Sequence, residues 1–434
     1  MVASASEVLQ ALNQGALDSQ THVSGLLAAI EQQEPTVQAW AHLNADHALH
    51  QARQADLRRS AGDTAPLLGV AVGLKDIIDT ADFPTENGTV LHAGRRPSRD
   101  AALVARLREA GAVILGKTVT TELATYASGK TRNPHAPGHT PGGSSSGSAA
   151  ALACGMVPLA IGSQTNGSTI RPGAYCGVVS FKPTRATIDR TGVLVQSPSF
   201  DTVGLFARDV ADVSLLWSVL SATGADHAVA AGAPLARFFW MPGPLRELME
   251  PGVEVILRQQ ALAWGASLGP PDMPVGTLGI IELHRRIMEA EIARCFEREY
   301  SVGAHQLSSS LQGQIERGRG TSDTELVSLQ RRLSAAQAEV DGWMQQQGID
   351  AWMTASAPGP APAGLESTGN PVFCTLATAL DLPALQLPGL RASNGLPIGM
   401  QLVARRSCDA GLLALGARLL GQLHPPLQGP PCTS

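Results

Sequence analysis

The sequence predicts an α/β domain, on three observations. Short apolar runs of the kind buried on both faces of a sheet, at residues 68–74 and 112–116, alternate with segments of helical pattern. Two Ser/Gly clusters, 142–148 and 166–169, flank an Ala-rich apolar segment of helical length. The chain has 434 residues, 44 % hydrophobic and 16 % charged, which is enough for a large core.

In chain order, residues 4–58 read as helical. Residues 6–12 open one helix and Gly15 ends it. Ser19 caps a second, with Val23, Leu26, Leu27 and Ile30 at helical spacing, and residues 37–58 form a third. Gly62 and Asp63 break that pattern. The run 68–74 is a buried strand followed directly by Lys75 and Asp76. A helix at 101–110 precedes the second buried strand, 112–116. Residues 128–143 are loop, rich in Gly, Pro, Asn, His and Thr. A buried helix at 149–157 leads to strands at 159–162 and 177–181 and a helix at 210–220. Residues 225–345 carry more charge and read as a helical section that walls the substrate site. Strand character returns at 351–354, before a Pro-rich stretch at 358–363, two strands at 383–388 and 397–403, and a closing helix at 411–423. The Pro-rich tail 424–434 is expected to be disordered.

Composition narrows the function. Net charge is −5 and no basic patch collects, so a nucleic-acid partner is not expected. Six scattered cysteines show no metal spacing and fit reduced thiols. No signal-peptide pattern or apolar run of membrane-spanning length stands out, and the expected location is cytoplasmic.

A lysine just after a buried strand can lose its proton to desolvation and act as a base. The competing reading is a lysine snorkelling at a strand end and pairing with Asp76. Residues 143–147 formally match the nucleophile elbow G-x-S-x-G, but a loop precedes them where that motif needs a strand. Ser148 after Gly147 fails the lysine requirement of a phosphate loop. Asn166-Gly167 as a plain hairpin turn lacks alternating flanks. Cys176 reads as buried packing.

Together the segments resemble the amidase signature family of serine hydrolases. The motifs that carry this are Lys75-Asp76 after its strand, Gly116-Lys117-Thr118 with Glu122, Gly142-Gly143-Ser144-Ser145, residues 162–168, Cys176-Gly177-Val178, Phe181-Lys182-Pro183-Thr184 and residues 395–403. The resemblance implies one domain over 1–434, with a mixed central sheet, helices on both sides and a signature core at 66–215. It also implies a catalytic triad of nucleophile Ser168, bridging Ser144 beside a cis peptide, and base Lys75. Backbone N–H groups of Thr165, Asn166, Gly167 and Ser168 are implied as the oxyanion hole. Tyr126, Ala127, Ser128 and Gly143 are candidate substrate contacts. Neither a cofactor nor a metal is implied.

The expected activity is hydrolysis of a small linear carboxamide, urea-derived or aryl, through an acyl-enzyme. One alternative is the glutamine-hydrolysing subunit of a tRNA-dependent amidotransferase; another is a non-catalytic binding module. Expected partners are the small amide and, as often in the family, a second copy as homodimer, with no nucleic acid and no membrane. The chain departs from the commonest family pattern at Gln164, Asn166 and Arg171, the last shifted by one. Asn166 is expected to keep the loop through its tolerance of positive φ. Gln164 and Arg171 are expected to be coupled. Ser145 is expected to orient its loop, Asp201 to bond the first Ser/Gly cluster, and Glu122 to pair with backbone or a basic group.

Overall fold

The computed structural model describes residues 3–221, 235–270, 273–274 and 276–423. The predicted tail 424–434 lies outside them. Eleven strands form one mixed sheet: β1 (Trp40–Leu43), β2 (Ala71–Lys75), β3 (Val113–Thr118), β4 (Leu159–Gln164), β5 (Val179–Lys182), β6 (Thr202–Ala207), β7 (Phe238–Trp240), β8 (Ser267–Leu268), β9 (Ala351–Ala355), β10 (Ala384–Arg391) and β11 (Pro397–Ala404). Their spatial order is β1-β3-β2-β4-β6-β5-β10-β11-β9-β7-β8. β2 runs parallel to β3 and β4, and β7 parallel to β8 and β9; the other pairs are antiparallel.

The central strands are apolar on both faces because each face has its own core. Val72, Leu74, Ile114, Leu159 and Ile161 enter one cluster. Ala71, Val113, Leu115 and Ala160 enter the other, with the helix Ser146–Ala153 against them. Alternation along a strand thus reads as a continuous apolar run in sequence. The expected single α/β domain with a mixed sheet and flanking helices is what the chain forms.

Three expectations about elements are corrected. The third helix does not begin at 37: Gln38 takes a left-handed φ of 54° and ends the helix Ser19–Val37. Trp40–Leu43 then runs antiparallel to β3 before the helix Ala45–Ser60. This pairing needs Gly116, whose Cβ, if present, would sit 2.4 Å from the His42 carbonyl. The second helix is capped by Asp18, one residue before Ser19. The section 225–345 contains the helices Val253–Ala263, Thr277–Cys295, Ser309–Arg319 and Asp323–Gln347, but also β7 and β8. These strands are three and two residues long, too short to leave a period in the sequence. The short helices Ile170–Cys176 and Val372–Ala379 are further elements that the sequence pattern does not announce.

Candidate active site

The site lies where β2 and β4 end. Lys75 is the last residue of β2 and is fully buried. Its Nζ lies 2.6 Å from Ser144 Oγ and 2.8 Å from Ser163 Oγ. Burial pushes the Lys75 amine down to about 7, against the opposing pull of the Asp201 charge. The snorkelling alternative is not what forms: Asp76 faces Lys117, at 3.4 Å. Ser163, one residue before the end of β4, is a lysine partner that no sequence motif singles out.

Ser144 follows a cis Gly143–Ser144 peptide and is buried. A Cβ on Gly143 would meet Thr368 Cγ2 at 2.6 Å, so the backbone can lie this close only as glycine. Ser145 does orient the loop: its Oγ lies 3.2 Å from both the N and the O of Ser163. Glu122 accepts the Ser308 N–H at 3.1 Å with each carboxylate oxygen.

The second cluster turns out of β4 into the helix Ile170–Cys176, and Ser168 is partly exposed at this turn. Among the described residues, the N–H groups of Asn166, Gly167 and Ser168 donate to no backbone carbonyl. The loop is held from several directions. Thr165 Oγ1 lies 2.6 Å from Asp201 Oδ1, and the Thr165 carbonyl is 2.9 Å from His284 Nε2. Asn166 Nδ2 donates to Tyr126 Oη at 3.0 Å, its Oδ1 accepts from Thr375 at 2.7 Å, and its carbonyl accepts from Thr378 at 2.7 Å. His284 is buried, and desolvation lowers it to about 4, so it is neutral and donates Nε2–H to the carbonyl.

Three expectations change here. Asn166 is not among the residues with positive φ; its side chain is used for bonds, not for conformational tolerance. Asp201 bonds Thr165, just before the second cluster, rather than the first cluster, and also pairs with Arg190 at 2.7 Å. Gln164 and Arg171 do not meet. Gln164 Oε1 accepts the N–H groups of Thr169 and Ile170 at 2.9 and 3.0 Å, capping the short helix. Arg171 instead donates Nη2 to the Gly143 carbonyl at 2.7 Å and to Thr368 Oγ1 at 3.0 Å, which ties the two clusters together.

A cleft of about 380 Å³ opens beside these loops, lined by Tyr126, Ala127, residues 308–310 and 366–369, and Pro371. Tyr126 and Ala127 of the candidate contacts form its wall. Ser128 and Gly143 do not, although Gly143 lies against Thr368, which does. No helix among the described residues is long and apolar enough to cross a membrane.

Residues 22–232 match the family Amidase. Curated relatives span nearly the whole chain. A glutamyl-tRNA(Gln) amidotransferase subunit from Symbiobacterium thermophilum is 32 % identical over 92 % of this chain and 93 % of its own. The same subunit from Chloroflexus aggregans is 33 % identical over 94 % and 93 %. A solved amidase superposes with a TM-score of 0.87 at 26 % identity, covering 97 % of this chain and 100 % of that one. The peptide amidase of Stenotrophomonas maltophilia gives 0.84 at 25 %, covering 100 % and 99 %.

These names correct the expected partners, a small amide and at most a second copy, with no nucleic acid: the full-length relatives are subunits of tRNA-linked enzymes. Net charge reports on one chain's own surface and is blind to nucleic acid handled by an assembly. What the comparisons establish directly is narrower: the chain belongs to the amidase signature family of serine hydrolases and is an amide C–N bond hydrolase.

Proposed function

We propose that the chain cleaves a carboxamide through an acyl-enzyme on Ser168, with Lys75 as base and Ser144 as relay. The observation that carries this reading is the buried Lys75 amine 2.6 Å from Ser144 Oγ. Near neutrality a large fraction of that amine is unprotonated and can accept a proton. Ser144 passes its proton to Lys75 and takes one from Ser168 as Ser168 Oγ bonds to the amide carbon. The carbonyl electrons move onto oxygen, facing the N–H groups of the 165–168 turn. Collapse breaks the C–N bond, and the departing nitrogen takes a proton back through Ser144. Water then enters by the same relay, releases the carboxylate and restores Ser168.

Among amides, the full-length curated relatives support glutamine, with ammonia passed on inside a tRNA-dependent amidotransferase. A second reading, hydrolysis of a small linear carboxamide by this chain alone, draws support from the likeness to solved amidases. Ammonia release from glutamine and from a small-amide panel, with and without charged tRNA and candidate partner proteins, separates them. Glutamine turnover that depends on the assembly supports the first; turnover of small amides by the isolated chain supports the second. In either assay Ser168→Ala lowers kcat by about a thousandfold or more. Near-full activity in Ser168→Ala, together with no acyl adduct on the wild-type protein by mass spectrometry, rejects the mechanism.

A further inference from the structure

Four cationic side chains are buried among the described residues: Lys75, Lys117, Lys182 and Arg171. Three of them have a way to avoid an isolated charge. Lys117 faces Asp76 at 3.4 Å. Desolvation lowers Lys75 to about 7 and Lys182 to about 8, so both can shed the proton. A guanidinium cannot. Arg171 is 1 % exposed, pairs with no carboxylate among the described residues, and leaves Nε and Nη1 without an acceptor there.

An isolated buried cation is costly unless a counter-charge arrives. Holding the Gly143 carbonyl does not explain the charge, because a neutral amide donor would do that without it. The position does. Nη2 bonds the carbonyl of the residue before Ser144, and Arg171 lies three residues after Ser168. Its other partner, Thr368 Oγ1, belongs to a residue of the cleft wall. The cleft's own carboxylate, Glu366, is exposed and accepts the Leu365 N–H at 3.0 Å, so it does not neutralise Arg171.

We propose that Arg171 is the docking site for a carboxylate carried by the substrate, so that the preferred amides are acids at their far end. The carboxylate takes the place of the Thr368 hydroxyl on the guanidinium and brings its own hydrogen-bond acceptors to Nη1 or Nε. Both free glutamine and a small amic acid carry this group. This inference rests on the Ser168 acyl-enzyme for its catalytic meaning, though the binding step can be measured without it.

The test compares kcat/KM for three amides: succinamate, L-glutamine and the neutral butyramide. The wild type is expected to favour at least one acid amide, and which one tells amic acid from amino acid. Arg171→Lys and Arg171→Gln are expected to lower the acid-to-neutral ratio by about tenfold or more, mainly through KM. An equal loss on acid and neutral amides would mean that Arg171 only supports the loop, and overturns the proposal. Because these variants can disturb the fold, succinate binding is measured as a thermal shift on Ser168→Ala with Arg171 intact. Succinate is expected to raise Tm where butyramide at the same concentration and ionic strength does not. Absence of that shift overturns the carboxylate site. Full amide turnover by Ser168→Ala overturns the acyl-enzyme instead and leaves the binding result standing.

Discussion

At Lys75 burial outweighs the pull of Asp201, and the amine titrates near 7 instead of at its ordinary 10.5. The proposed base works only unprotonated, so kcat/KM is expected to climb as pH rises through about 7 and then level off. A pH–rate profile checks this, and a rate that falls across the same interval rejects Lys75 as the base. The residue is legible in sequence because a lysine stands directly behind an apolar strand run and the Ser/Gly clusters follow in a fixed order. Ser163 is not: a serine inside a strand has no signature of its own, and its role appears only when Lys75 is within 2.8 Å. Arg171 stands out in sequence as displaced, but its charge becomes informative only with its burial and missing acceptors.

Between elements, the helix Thr277–Cys295 reaches the site from beyond residues 22–232, the stretch that matches the family. His284 donates to the Thr165 carbonyl, packs its ring 4.2 Å from that of Phe200, and shares its helix with Glu291. Glu291 in turn accepts the Ser199 N–H at 3.0 Å and bonds the Ser197 hydroxyl. A helix that reads as a wall is thus a strut for the nucleophile turn. His284→Ala is expected to lower kcat by about tenfold with little change in KM, and His284→Gln, which keeps a donor, to restore part of it. Steady-state kinetics of both variants check this; a change confined to KM would make His284 a pocket residue instead. Sequence could not supply the contact, since the partners are 119 residues apart and helical periodicity treats a buried histidine like any apolar position.

For the whole molecule, the proposed chemistry sets a stability slope. The unfolded chain holds the Lys75 proton up to about pH 10.5, while the folded chain releases it near 7. Between these values the unfolded state binds more protons, so stability rises with pH. Lys117 and Lys182, both lowered to about 8, act in the same direction. From about pH 7 to 8 each of these lysines contributes up to roughly 1.4 kcal/mol per pH unit, in proportion to its neutral fraction, before the thiols of Cys176, Cys374 and Cys408, which burial pushes up, oppose the rise. Lys75→Met is expected to flatten the rise by about that amount, measured as denaturant midpoints across the window. An unchanged slope in Lys75→Met would mean that the amine is not desolvated. The α/β architecture itself is readable because strands buried on both faces are unusual enough to stand out. The edge is not, because β7 and β8 are too short to carry a period.

The sheet order has a consequence for how the protein can be divided. β5, in the half of the chain that holds Lys75, Ser144 and Ser168, is paired on one side with β6 and on the other with β10, some two hundred residues later. Thr375 and Thr378, which grip Asn166, come just before that later strand. A ribosome that has made the first half has therefore produced every proposed reacting group but neither the second wall of the sheet nor the clamp on the nucleophile turn. Amide cleavage is expected only once the C-terminal strands are in place, and residues 22–232 expressed alone are expected to show none.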